Sequence, residues 1–184
     1  MKNYLSKFKT NERSPARPKW THAFSSALGG LIGIASIGLI AEWTKAPMLI
    51  APFGATCILA FGVPDSPLAQ PRNIIGGHLI AGIVGLCCLY WVGDSIFSMS
   101  LGVGISLALM QLTKTVHPPA GADVMVIILS HASWGFLFTP LLSGALVLVL
   151  VALIFNNAHK TRKYPKYWRY DSILKIWGFE DLKM

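Results

Sequence analysis

Two short stretches hold the side chains and backbone breaks that could do chemistry. The first is Pro52-Phe53-Gly54-Ala55-Thr56 and the second is His117-Pro118-Pro119-Ala120-Gly121-Ala122-Asp123. Each pairs a proline, which suits a helix start, with Gly and Ala, which let backbone approach closely. A helix leaves its first N–H groups unpaired and carries partial positive charge there, so two such starts meeting inside a membrane would suit a small anion. His117 could donate to an anion or shuttle a proton. Asp123 lies about one turn inside an apolar helix, where an ionisable group is costly and therefore points to function. It could equally serve to stabilise the helix start. His78 lies beside Gly76-Gly77 in a long apolar stretch and is a third candidate. Arg72, with its neighbour Asn73, and Lys114 could attract or gate anions, or simply anchor membrane edges. Lys45 has the same two readings. There is no Cys/His spacing for a metal, no phosphate loop and no triad, so neither a metal, a cofactor nor an enzymatic role is expected.

The elements around these residues read as membrane helices. Of the 184 residues 53% are hydrophobic and only 13% charged, about half the charge of an ordinary soluble domain. Six of the 16 Lys and Arg residues lie in 1–19 and seven in 157–184. The net charge of +8 therefore flanks apolar segments and forms no nucleic-acid-binding face. Basic tails beside spans mark the cytoplasmic side, so both termini are expected there and the number of full crossings should be even. No secretory signal is apparent at the start.

Thr21 to Ala41 is uncharged and bracketed by Trp20 and Trp43, as a span with interfacial aromatics would be. Asn73–Gly93, Ser95–Thr113 and Phe136–Asn156 read as further long spans, with Pro140 tolerated in the first turns of the last. Small-residue stripes are expected at their contacts: Gly29 and Gly33, then Gly77, Ala81 and Gly85, then Ser100, Gly104 and Ala108. Between them, short helices are expected from Phe53 to Phe61 and from the His-Pro-Pro segment to about Ser130. The three prolines of 63–73 make that stretch a loop. Residues 124–159 carry no charge but are too long for one crossing, so a break is expected at Ser133-Trp134-Gly135. Cys57, Cys87 and Cys88 are expected to pack as apolar residues. Ile173, Leu174 and Trp177 could share one face of a surface helix.

The apolar map runs long, short, long and then repeats. Thr44-Lys45 precedes Pro-Phe-Gly-Ala-Thr at 52–56, and Thr113-Lys114 precedes Pro-Ala-Gly-Ala-Asp at 119–123. The expected fold is an all-α membrane protein with four long transmembrane helices and two short or re-entrant ones, arranged as two related three-segment halves. If every segment crosses, the halves are inverted and Arg72 and Lys114 share the cytoplasmic side; if the short ones are re-entrant, only four cross. Paired interrupted segments in corresponding halves mark the site of many transporters.

H-P-P-A-G-A at 117–122, P-F-G-A-T at 52–56 and V-P-D-S-P-L-A-Q-P-R-N-I-I-G-G-H-L at 63–79 resemble the characteristic stretches of the HPP family of integral membrane proteins. With the spans, the resemblance covers roughly residues 20–156. It implies a four-spanning protein and, from plastid and cyanobacterial members implicated in nitrite transport, a small anion as cargo. Some bacterial members add cytoplasmic regulatory domains; here only a short tail is expected after the spans. Asp123 departs from the small or hydroxyl residue expected there, since Thr56 holds the matching place. A carboxylate would repel an anion unless protonated, which argues against nitrite or for proton coupling. The expectation is thus a basic tail (1–19), a transmembrane domain (20–156) and a basic aromatic tail (157–184). The protein would be a transporter or channel for a nitrite-like anion in a bacterial inner membrane, plausibly a homodimer. Transport of another solute through Asp123, and a non-transporting subunit docking a partner through its tail, are the alternatives.

Overall fold

A computed structural model describes residues 2–168, and the expected surface helix around Ile173, Leu174 and Trp177 lies outside them. Six apolar helices follow a short helical turn at the N-terminus: α1 (Trp20–Thr44), α2 (Ala51–Gly62), α3 (Pro71–Trp91), α4 (Ile96–Leu112), α5 (Pro118–Leu129) and α6 (Trp134–Ala158). The described residues contain no strand. Three helices, α1, α3 and α6, are long and apolar enough to cross a bilayer. The fourth expected span, α4, has 17 residues, which at 1.5 Å each reaches about 26 Å, the lower limit for a crossing. Trp20 and Trp43, at the two ends of α1, are 80% and 85% exposed, as interfacial anchors should be.

The boundaries have local causes. Pro52 and Pro71 sit in the first turns of α2 and α3, where no N–H is needed. Ser95 caps α4 through its hydroxyl, which accepts from the Ser98 N–H at 3.0 Å. The uncharged run after Asp123 breaks after Leu129 and resumes at Trp134, close to the expected place. Pro140 is less well tolerated than expected: Thr139 before it has extended dihedrals (φ −136°, ψ 116°), and the regular part of α6 begins at Ser143.

The two Thr-Lys pairs have the same geometry. Thr44 donates to the Ile40 carbonyl at 2.7 Å and Thr113 to the Leu109 carbonyl at 2.8 Å. Lys45 and Lys114 then both turn left-handed, at φ 58° and 55°, and end their helices.

Two apolar clusters, besides a third of Leu86, Ile127, Leu137 and Leu141 between α3, α5 and α6, form the interior. One joins α1, α2 and α6 through Ile37, Phe53, Phe61 and Leu148. The other joins α3, α4 and α5 through Val84, Met110, Val124 and Ile128. Gly29 and Gly33 of α1 lie against the Phe61 ring, where an added Cβ would come within 2.6 Å and 2.9 Å of it. The stripe expected on α4 is a correction: Ser100, Gly104 and Ala108 face outward, and the face packed on α3 and α5 is Ser98, Gly102, Ser106 and Met110. The Ser98 hydroxyl fixes that rotation by donating to the Cys88 carbonyl at 3.2 Å. Cys57 and Cys88 are buried and all three cysteines are free thiols.

The connections share two ends. Loop 63–70 lies against the segment after α6: Tyr164 donates to the Ala69 carbonyl at 2.7 Å, and Lys166 pairs with Asp65 at 2.8 Å. Burial pushes the Tyr164 phenol up from its ordinary value, which keeps it a donor. At the opposite end His131 meets Asp94 at 3.1 Å.

Candidate functional site

Thr56, His78, His117 and Asp123 come from four different places in the chain and meet in the interior, each 0% exposed. Helix α2 supplies Thr56 and α5 supplies Asp123, while His78 projects from α3 between them and His117 precedes α5. Gly77 makes that approach possible, since a Cβ there would lie 2.6 Å from the His117 Cβ.

The four side chains form one hydrogen-bonded line. Asp123 Oδ2 lies 2.6 Å from His78 Nδ1. His78 Nε2 lies 3.0 Å from Thr56 Oγ1, which lies 2.9 Å from His117 Nε2. His117 Nδ1 reaches the Leu68 carbonyl at 2.8 Å. Thr56 can also donate to the Pro52 carbonyl at 3.2 Å.

Counting hydrogens shows how few arrangements satisfy this line. The Leu68 carbonyl only accepts, so His117 Nδ1 carries a hydrogen. Two imidazole Nε2 atoms then face one hydroxyl, which has one hydrogen to give. If both rings were neutral with hydrogen on Nδ1, one Nε2 lone pair would face the hydroxyl oxygen unpaired, a costly arrangement in a buried site. A single further proton removes the conflict. On the Asp123–His78 pair, it lets His78 Nε2 donate to Thr56 and Thr56 donate to His117. On His117, it reverses both bonds, with Thr56 donating to His78. In both arrangements the carboxylate and its proton sum to zero charge. The two differ by a proton moved between the histidines and a turn of one hydroxyl. Asp123 Oδ1 has no hydrogen-bond partner among the described residues, an open acceptor at the end of the line.

The other residues named from the sequence divide in two. Pro52, Phe53, Asn73 and Pro119 are buried around the line, and the Phe53 ring stands edge-on to His78 with centroids 5.4 Å apart. Asn73 donates to the Val116 carbonyl at 2.9 Å and Arg72 to the Thr113 carbonyl at 2.9 Å, so both hold the strand of chain leading to His117. Gly121 and Ala122 are half-buried, whereas Gly54, Ala55, Lys114 and Pro118 face outward. The helix starts meet through side chains more than through amides. Pro52, Pro118 and Pro119 have no N–H, and the N–H groups of Phe53 and Ala120 are used by the Ile50 and His117 carbonyls.

Sequence reasoning missed the support at the other end of α2. Its last carbonyls would be orphaned in an apolar setting. Asn156 donates to the Ala60 carbonyl at 3.1 Å, Arg162 to the Phe61 carbonyl at 3.2 Å, and His22 to the Gly62 carbonyl at 3.1 Å. Arg162 also binds Asn156 Oδ1 at 2.9 Å. An asparagine in the last turn of an otherwise apolar span was the readable signal. The Leu68 carbonyl, being backbone, left none.

A family model described as the HPP transmembrane region matches residues 15–165. The chain belongs to the HPP family. It is 36% identical over 177 residues to a transmembrane protein of Dictyostelium discoideum, covering 90% of this chain and 57% of that one. A second Dictyostelium discoideum transmembrane protein is 41% identical over 129 residues, covering 66% of this HPP chain and 45% of the relative. The chain thus spans about half the length of the curated relatives it matches. No solved structure matches it.

Proposed function

We propose that this HPP protein is a proton-linked membrane transporter, not an enzyme, and that its cargo is a small inorganic anion, nitrite-like. The observation that carries the reading is the buried line from Asp123 through His78 and Thr56 to His117. Four polar side chains in an apolar interior are costly, and their placement here accommodates one mobile proton. The anion class rests on the family resemblance. The line's zero net charge answers the objection to Asp123, because a neutral pair does not repel an anion as a lone carboxylate would.

The topology that fits best has all six helices crossing, with α1–α3 and α4–α6 as inverted halves. Loop 63–70 packs on the segment after α6, while Asp94 and His131 meet at the other end. Under that arrangement Arg72 and Lys114 share a face with both tails, the face richest in Lys and Arg, and that face is cytoplasmic. The third helix of each half packs against the first two of the other, α6 on α1 and α2, α3 on α4 and α5. The outward stripe Ser100, Gly104 and Ala108 is the place for a second copy in a homodimer. A bacterial inner membrane is the setting we assign.

Proteoliposomes carrying a pH dye in the lumen test the reading. A nitrite gradient should acidify the lumen faster than in protein-free vesicles, which report unassisted nitrous acid leakage. Asp123→Asn should return the rate to that of bare vesicles. Equal rates with and without the wild-type protein across the pH range would reject nitrite as cargo.

One observation favours a second reading. Asp123 Oδ1 is a buried acceptor without a partner. A cationic or hydrogen-donating solute would satisfy it where an anion would not, and a panel of solutes in the same vesicles separates the two.

A further inference from the structure

A polar cavity of about 580 Å³ opens between the start of α1 and the end of α6, lined among others by Lys19, Thr21, His22, Ser25, His159 and Arg162. It continues into a groove of about 360 Å³ that shares Thr21, Ser25 and His159 and is otherwise walled by Phe24, Leu28, Phe155 and Ala158. The first part offers the Lys19 ammonium, the His159 imidazole, the positive end of a 25-residue helix and the charge of Arg162, whose terminal nitrogens are already bonded to Phe61, Asn156 and Ser26, while His22 is bonded to the Gly62 carbonyl. The second offers mostly apolar surface running along the helices. Ser25 stands at the junction, 7% exposed, and its hydroxyl has no hydrogen-bond partner among the described residues. Asp65, a carboxylate whose charge reaches Arg162, is already held by Lys166 at 2.8 Å.

We propose that this site binds one anionic phospholipid, with the phosphate among Lys19, Ser25, His159 and Arg162 and an acyl chain along Phe24, Leu28 and Phe155. A soluble phosphate would fill the polar part alone and leave the groove unused. A zwitterionic lipid would fill the groove but bring its own cation to a basic pocket. The depth is right, because Trp20 sits at this end of α1 as an interfacial aromatic. Binding here also ties α1 to α6 beside Arg162, whose guanidinium already joins Ser26 at 3.2 Å to the Phe61 carbonyl at the end of α2. The lipid therefore steadies the end of the short helix that carries Thr56.

The test is thermal unfolding of the full chain in detergent with added phosphatidylglycerol, phosphatidylcholine of the same acyl chains, or inorganic phosphate. Phosphatidylglycerol should raise Tm saturably and the other two should not. Lys19→Gln should weaken the phosphatidylglycerol effect about fivefold, the share of one basic residue at a lipid surface. Leu28→Trp, at a 42% exposed position in the groove, should remove it while leaving the lipid-free Tm unchanged. Equal protection by phosphatidylcholine would mean ordinary surrounding lipid and overturn the proposal. Protection by inorganic phosphate that survives Leu28→Trp would overturn it in favour of a soluble-anion site. An unaltered phosphatidylglycerol effect in both variants would overturn it as well.

Discussion

The break between α1 and α2 and the break between α4 and α5 share a scaffold and differ in chemistry. Both open with a threonine that binds the carbonyl four residues back and a lysine in the left-handed region. Both then start a short helix with Pro-x-Gly-Ala, and both aim the next residue at His78. In the first that residue is Thr56, 3.0 Å from Nε2; in the second it is Asp123, 2.6 Å from Nδ1. One imidazole is thus held at its two nitrogens by equivalent positions of the two segments. A hydroxyl can turn and both give and take a hydrogen, whereas a carboxylate holds charge or a proton. The same backbone therefore presents a rotatable hydroxyl on one side and an ionisable carboxyl on the other. At the position that faces His78 the difference lies in a single side chain, so it can be exchanged.

The largest effect is expected from making the two segments alike with Asp123→Thr. His78 loses its acidic partner and the line loses the site that balances its extra proton, so proton-linked flux should fall to the bare-vesicle rate. The protein should still fold, because a hydroxyl can accept from His78 Nδ1–H. Retention of more than a small part of the flux would mean that the carboxylate only positions His78. Thr56→Val removes the rotatable hydroxyl instead. It leaves two imidazole nitrogens facing a methyl group, which should cost about 1–3 kcal/mol of stability, the penalty for a buried polar atom left unpaired. Thr56→Ser, which restores the hydroxyl, should recover both flux and stability. If Thr56→Val transports as well as wild type, the proposed relay does not run through this residue.

Much of this was legible before any coordinates. Apolar run lengths gave the helices, prolines gave the starts of α2 and α5, and the Thr-Lys pairs marked corresponding helix ends, whereas Pro71, read as part of the loop 63–73, begins α3. Thr56, His78, His117 and Asp123 were all readable as polar groups inside apolar stretches, where burial is costly and so informative. Their contacts were not readable, since a bond between residues 45 positions apart leaves no periodicity behind. The rotation of α4 was misread for a related reason. Two stripes of small residues compete on that helix, and the winner, Ser98–Gly102–Ser106, is decided by the Cys88 carbonyl across the interface. The clamp on α2 by Asn156, Arg162 and His22 was legible only in Asn156, because it draws on two distant segments, the start of α1 and the end of α6, and on backbone acceptors.

The smallest expected effect tests whether the two breaks are mechanically equivalent. A left-handed residue with a Cβ carries strain that glycine avoids, although glycine loses more chain entropy on folding. Lys45 and Lys114 differ by only 3° in φ, 58° against 55°, so that strain should be the same at both. Lys45→Gly and Lys114→Gly should therefore each raise Tm slightly, by about 2 °C, and by similar amounts. Thermal unfolding of the two variants side by side in one detergent reads this directly. A gain at one site with a loss at the other would show that one lysine side chain does more than end its helix. Lys114 would be the one to examine, because it adjoins the Thr113 carbonyl that Arg72 binds and lies three residues from His117. A loss there that nitrite flux shares would tie that edge of the fold to the proposed relay, whereas equal small gains would leave the difference between the halves to Thr56 and Asp123 alone.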